Sequence, residues 1–212
     1  MIRDDYLIRG EAELRALFPP THDLARRKSL NRLDAHARDF IARSPFLAIG
    51  TRAADGQADV SPRGDPCGFV RVLDDQTLMI PDRPGNNRLD TLANILANPS
   101  VGLLFMVPGF EDSLRVNGRA AISRDPDLLA LAEVEGRQPR VVILVSVEEV
   151  FLHCAKAFRR ARLWDPAARQ DRKAMPSLVQ MILEQVGEVP REASEQKRLD
   201  DQLEDDYRKG MY

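Results

Sequence analysis

The sequence predicts a mainly β domain with helical flanks, its strands forming an antiparallel meander or barrel. Three observations carry that prediction. From Phe46 onward the apolar residues recur with period two, in short runs separated by tight turns. Asp55-Gly56, between the first two runs, is a strong hairpin signal. On either side the period lengthens to that of amphipathic helices, over residues 10–44 and 175–186.

In chain order, Leu14, Leu17 and Phe18 form one helical face, stopped by Pro19-Pro20. Thr21 is placed to cap a second helix whose stripe runs Leu24, Leu30, Leu33, Ala37, Phe40 and Ile41. Ser44-Pro45 ends it, because a residue before proline resists the helical region. Strands are expected over 46–51, 57–61, 69–73 and 77–80. Leu89, Leu92, Ala93 and Leu96 then define a helix, terminated by Asn98-Pro99. Val101 to Val107 is almost wholly apolar, as a strand buried on both faces would be. A strand over 113–123 should kink at Gly118, Asp125-Pro126 opens a short helix through Ala132, and the β-prone run from Val141 leads a long strand to His153. The acidic stretch 192–206 reads as a solvated helix or a frayed end. One compact domain is expected, with a helical extension over 1–45, a barrel over 46–164 and a helical tail over 165–212.

The chain has 212 residues, 43% of them hydrophobic and 30% charged, as in ordinary globular proteins. A net charge of -2 gives no basic field, so nucleic acid is not an expected partner. Cys67 and Cys154 lie far apart and His22, His36 and His153 do not cluster, so neither a metal site nor a disulfide framework is expected. The first ten residues carry Arg3, Asp4, Asp5 and Arg9 in place of a signal-peptide core, and no apolar run approaches the ~20 residues of a membrane helix. A cytoplasmic protein without a membrane partner is the expectation.

The nucleophile elbow, the zinc-protease helix motif, the phosphate-binding P-loop and the dinucleotide fingerprint are all missing from the sequence. Two runs at strand ends instead gather Arg, Asn, Gly and Pro: Ser61-Pro62-Arg63-Gly64 and Pro81-Asp82-Arg83-Pro84-Gly85-Asn86-Asn87-Arg88. A phosphate-bearing ligand needs that mixture. Arginine supplies charge and paired donors, Gly and Pro shape tight backbone, and Asn86 or Asn87 can cap a helix whose positive end faces an anion. A lone Arg63 would be a surface residue beside a turn, but Arg83 and Arg88 recur in similar settings. Asp90 in the first helical turn is ordinary capping chemistry and favours the plainer reading of that segment. A third run, His153 to Trp164, places Lys156, Arg159, Arg160, Arg162 and the single tryptophan just past the last strand. His153 and Cys154 are adjacent and point to opposite faces, which argues against a reactive pair.

The linked series—the D-G hairpin, S-P-R-G, I-P-D-R-P-G-N-N-R-L-D, a helix, N-P-S-V-G-L-L-F and L-R-V-N-G-R-A—resembles the FMN-binding proteins of the pyridoxamine 5′-phosphate oxidase-like family, over roughly Phe46 to Trp164. The resemblance implies an antiparallel split β-barrel of Greek-key type and a homodimer with FMN at the interface. Ser61, Pro62, Arg63 and Gly64 would line the flavin and ribityl chain, with Pro81, Asp82 and Arg83 nearby. Asn87 and Arg88 would hold the phosphate, with Asn86 beside them in the cofactor site, and Lys156, Arg159, Arg162 and Trp164 would reach in, from the other subunit if need be. The substrate-phosphate residues of the true oxidases are not found here, so the resemblance implies a different branch. The function expected is an FMN-dependent oxidoreductase in which the ring does the redox step, with no side-chain catalyst assigned and a donor such as NAD(P)H. A non-catalytic flavin carrier or sensor is the alternative, as is a barrel that uses a deazaflavin coenzyme or haem.

Overall fold

A computed structural model describes residues 3–188, 190 and 192–212. The amino-terminal third holds three helices, α1 (Glu11–Ala16), α2 (Asp23–Arg27) and α3 (Ala35–Arg43). The barrel follows: β1 (Phe46–Arg52), β2 (Ala58–Gly64), β3 (Arg71–Val72), β4 (Thr77–Pro81), α4 (Asp90–Ala97), β5 (Ser100–Met106), β6 (Ser113–Ser123), α5 (Pro126–Leu131) and β7 (Val142–His153). Then come α6 (Lys156–Ala161), α7 (Leu178–Val186) and α8 (Ala193–Gly210).

All seven strands join one antiparallel sheet in the order β2-β1-β5-β6-β7-β4-β3. The β5-β6-β7 meander with β4 beside β7, connected to β5 through α4, is a Greek key read against the chain direction. The rims β2 and β3 do not pair with each other among the described residues. Side chains span the gap instead: Arg63 at the end of β2 approaches Asp82 past the end of β4, and Asp65 meets Arg83. The fold is the split β-barrel.

One face of the sheet makes the core. Leu47 and Ile49 of β1, Leu103 and Phe105 of β5, Leu114 and Val116 of β6 and Val145 of β7 are all almost fully buried, and Ala37, Phe40 and Ile41 of α3 pack against the same cluster. Full burial of such a side chain contributes about 1.5–3 kcal/mol, so this face holds the rims and loops in place. Gly118 sits where the β6–β7 register shifts, as the expected kink required. A Cβ there would lie 2.1 Å from the Ser146 carbonyl oxygen, so only glycine fits the bulge.

Four expectations change. The helix expected after Thr21 is two helices, with His22 capping the first and Asp34 the second. The chain between them leaves the helix so that Leu30 can pair with Val150 on β7, a tertiary bond that helical periodicity does not announce. β2 runs through Gly64 instead of stopping at Ser61; as a rim strand it tolerates Pro62. The third strand shrinks to two residues, although Phe69 and Val70 stay in the core. β5 is not buried on both faces: Val101, Leu103 and Phe105 point inward, while Gly102, Leu104 and Met106 are half-exposed. The acidic stretch is a continuous helix, α8, joined to α7 through Ser177, Gln196 and Asp200. No helix among the described residues is long and apolar enough to cross a membrane.

Candidate functional site

Between the β2 rim and the loop that follows β4 opens a cleft of about 840 Å³, within the range of cofactor sites. Its walls come from alternate residues of β2, the loop 82–89, the start of α4, residues 137–141 and Tyr212. Strand alternation explains which β2 residues take part. Asp59, Ser61 and Arg63 share the face of their β1 partners Thr51, Ile49 and Leu47, whereas Val60, Pro62 and Gly64 point the other way. Within the run from Ser61 to Gly64, only Ser61 and Arg63 therefore line the cleft. Pro81 closes β4 as a buried residue and does not line it either.

Polar contacts fix the floor. Asn94 of α4 donates to Thr51 Oγ1 at 3.0 Å, Thr51 reaches Asp59 at 3.5 Å, and Ser61 donates to the same Asp59 oxygen at 3.3 Å. This chain ties α4 to β1 and β2 and aims its amino end at the cleft. Asn86 and Asn87 are not its cap. Leu89 occupies the cap position with φ 61° and makes no side-chain cap bond, and Asn87 is also left-handed with φ 57°. Asn86 instead accepts from the Arg88 backbone N–H at 3.1 Å, an Asx turn inside the loop. The two left-handed residues turn the loop once more before the helix begins. Asp90, Thr91 and Leu92 line the cleft without a capping side chain upstream, so the positive helix end stays open to an anion.

The cations differ in how firmly they are held. Arg83 donates to Asp65 at 2.6 Å, and the Asp65 side chain is only 2% exposed. That pair is a strut of the wall. Arg63 Nη2 lies 3.6 Å from Asp82 Oδ1, and its Nε is buried with no hydrogen-bond partner among the described residues. Burial pushes the Asp82 carboxyl above the usual range, an effect the Arg63 charge only partly offsets. Arg88 bonds Asp90 at 2.8 Å on an exposed surface, where a pair of this kind is worth only about 0–1 kcal/mol. Arg140 makes no ion pair among the described residues.

The third cationic run lies elsewhere. Lys156, Arg159, Arg162 and Trp164 do not line the cleft. β7 starts beside it at Val142 and runs for 12 residues, roughly 40 Å at the usual rise, before α6 begins. Arg159 pairs with Glu111, Arg162 with Asp165, and the Trp164 indole donates to the Phe110 carbonyl at 2.6 Å. Sequence reasoning missed Arg137, Arg140 and Tyr212. The two arginines flank Pro139 just before a strand, the same signature that marked the other runs. Tyr212 gave no signal.

The sequence model of the pyridoxamine 5′-phosphate oxidase family matches residues 33–154, more than half of the chain. The chain belongs to that family. The match takes in α3 and the whole barrel of this oxidase-family chain, and it ends before Lys156. No curated protein matches the chain. Among solved structures it is similar to HupZ of Group A Streptococcus, with 21% identity over 57% of this chain and 93% of that one and a TM-score of 0.48. A putative pyridoxamine 5′-phosphate oxidase of Lactobacillus delbrueckii shows 25% identity over 57% and 95%, with a TM-score of 0.45. An FMN-binding protein of Syntrophomonas wolfei shows 11% identity over 56% and 84%, with a TM-score of 0.44. At such scores these likenesses carry no functional argument.

Proposed function

We propose that the chain is an FMN-dependent oxidoreductase that holds its flavin in the rim cleft, at the interface of a homodimer. One observation carries the reading: Arg63 with an unpartnered buried Nε, the weakly held Arg88 and the uncapped amino end of α4 meet in a single open cleft. Arginines held only by long or exposed ion pairs, beside a positive helix end without a capping side chain, suit a phosphate-bearing ligand. Bound FMN would supply the redox chemistry. The chain's own part is to bind and orient. Arg88, Asn87 and the first turn of α4 would hold the phosphate, and Ser61 and Arg63 would line the rest of the cofactor. Arg83 keeps the wall in place through Asp65. Asp82 lines the cleft past the end of β4 beside Arg63, and burial raises its carboxyl above the usual range.

The homodimer has two supports. Phe46, Ala48, Leu104 and Met106 lie side by side on the outer sheet face, half-exposed, with Val60 beside them 70% exposed. A face this apolar favours a partner. The position of Lys156 to Trp164, at the far end of β7, gives them access to a cleft only across such a partner.

The purified protein should be yellow, or become so with FMN, and should bind FMN well above riboflavin. Equal affinity for the two would refute the phosphate assignment. A haem or deazaflavin absorption spectrum would replace the cofactor. Steady turnover with NAD(P)H and an acceptor separates an enzyme from a carrier. Dilution should release FMN as the dimer dissociates, and a monomer that keeps FMN stoichiometrically at every concentration would refute the interface site.

A further inference from the structure

Tyr212, past the end of α8, returns to the barrel and lines the cleft. Its hydroxyl donates to Asp65 Oδ1 at 2.6 Å, while the other Asp65 oxygen accepts from Arg83. Its backbone oxygen accepts from Arg137, and the Arg83 guanidinium lies 5.7 Å from its ring centroid. The residue is thus fastened at both ends, to a carboxylate whose side chain is only 2% exposed and to an arginine of the segment that precedes β7. Fastening at the hydroxyl leaves the ring few orientations. The cleft keeps its 840 Å³ with this ring in place, so the side chain is a wall and not a plug. The rest of α8 packs chiefly on α7, and Tyr212 joins this helix pair to the barrel through Asp65 and Arg137.

We propose that Tyr212 is a ligand-binding residue: a pre-oriented aromatic wall against which a planar, anionic ring system packs. A rigid aromatic face loses little entropy on contact with a flat ligand, and the arginines around it add charge and paired donors. Occupancy of the cleft and docking of α8 are then linked, since a ligand that touches the ring prefers the docked form. For the flavin this inference rests on the function proposed above, so its test uses two probes.

The full chain, Tyr212→Ala and Tyr212→Phe are titrated with FMN and with 8-anilinonaphthalene-1-sulfonate, an anion with a flat naphthalene ring system and no phosphate. Tyr212→Ala should weaken both by roughly 5- to 15-fold. Tyr212→Phe, which keeps the ring and loses only the Asp65 bond, should stay within about 3-fold. Either probe should also slow hydrogen exchange in residues 193–212 of the wild type but not of Tyr212→Ala. If the wild type binds only the naphthalene anion, in a Tyr212-dependent way, the flavin reading falls and the aromatic wall stands. Binding unchanged or tightened in Tyr212→Ala overturns the wall, as does a wild type that binds neither probe.

Discussion

Arg88 offers the sharpest test of how the cleft handles an anion, because its guanidinium is already in use. It bonds Asp90 at 2.8 Å, with side chains 73% and 45% exposed, and Asp59 adds a second negative charge nearby. A phosphate must win Arg88 away from Asp90. The pair costs about 0–1 kcal/mol to break in so exposed a place. A charge-assisted hydrogen bond to phosphate returns about 1.5–3 kcal/mol. The arginine therefore contributes a net ~0.5–3 kcal/mol, and Arg88→Ala should raise the Kd for FMN by about 2- to 160-fold. Asp90→Asn should act in the opposite direction, because it removes both the competitor and a like charge, and tighten FMN up to about 5-fold. Riboflavin, without phosphate, should respond weakly to either change. Flavin-fluorescence titrations at two salt concentrations read all four values, and the Arg88→Ala penalty should shrink at higher salt. If Arg88→Ala weakens FMN and riboflavin equally, or Asp90→Asn weakens FMN, phosphate is not what Arg88 holds.

Gly118→Ala should destabilise the barrel by about 3 kcal/mol or more, because its Cβ meets the rigid Ser146 carbonyl at 2.1 Å; a thermal midpoint within a degree or two of wild type would show that the bulge relaxes. Ser44→Ala should cost about 1–2 kcal/mol in denaturant unfolding, since the fully buried hydroxyl lies 2.7 Å from both the Phe46 and the Met106 carbonyl oxygens and donates its one proton to either. Glu149 titrates below the usual glutamate range because it accepts from Ser29 and Asn117 and lies near Arg115. A carboxyl depressed by folding contributes stability above its unfolded pKa and loses it as pH falls through the folded one. Glu149→Gln should therefore lower stability at pH 7, with the difference from wild type closing in acid below the ordinary glutamate range; a gap that stays constant down to that pH would mean the loss is steric.

Much of the barrel was legible because its signals are local. Period-two runs gave the strands, Asp55-Gly56 gave the first hairpin, and Gly118 gave the bulge. The two runs beside the cleft were legible for the same reason, since Arg, Gly, Asn and Pro at strand ends mark tight backbone with spare donors. The individual roles were less so. Pro62 and Gly64 look identical in standing to Ser61 and Arg63 until the register of β2 on β1 assigns alternate residues to opposite faces. Asn86 and Asn87 read as helix caps by spacing, and only the left-handed turns at Asn87 and Leu89 displace the cap to a leucine.

The sequence by itself determined the order of the elements, their approximate lengths and the chemistry available at two strand ends, because periodicity, turn residues and charge are properties of neighbouring positions. Tertiary structure alone decided which of those groups meet. It broke the helix after Arg27 to pair Leu30 with Val150, and left one face of β5 open. It set Lys156 to Trp164 a strand's length from the cleft that Arg63 and Arg88 line. It also carried Tyr212 across 147 positions to Asp65. Contacts of that separation depend on how the sheet curls and where its rims stop, and no local pattern of residues encodes either.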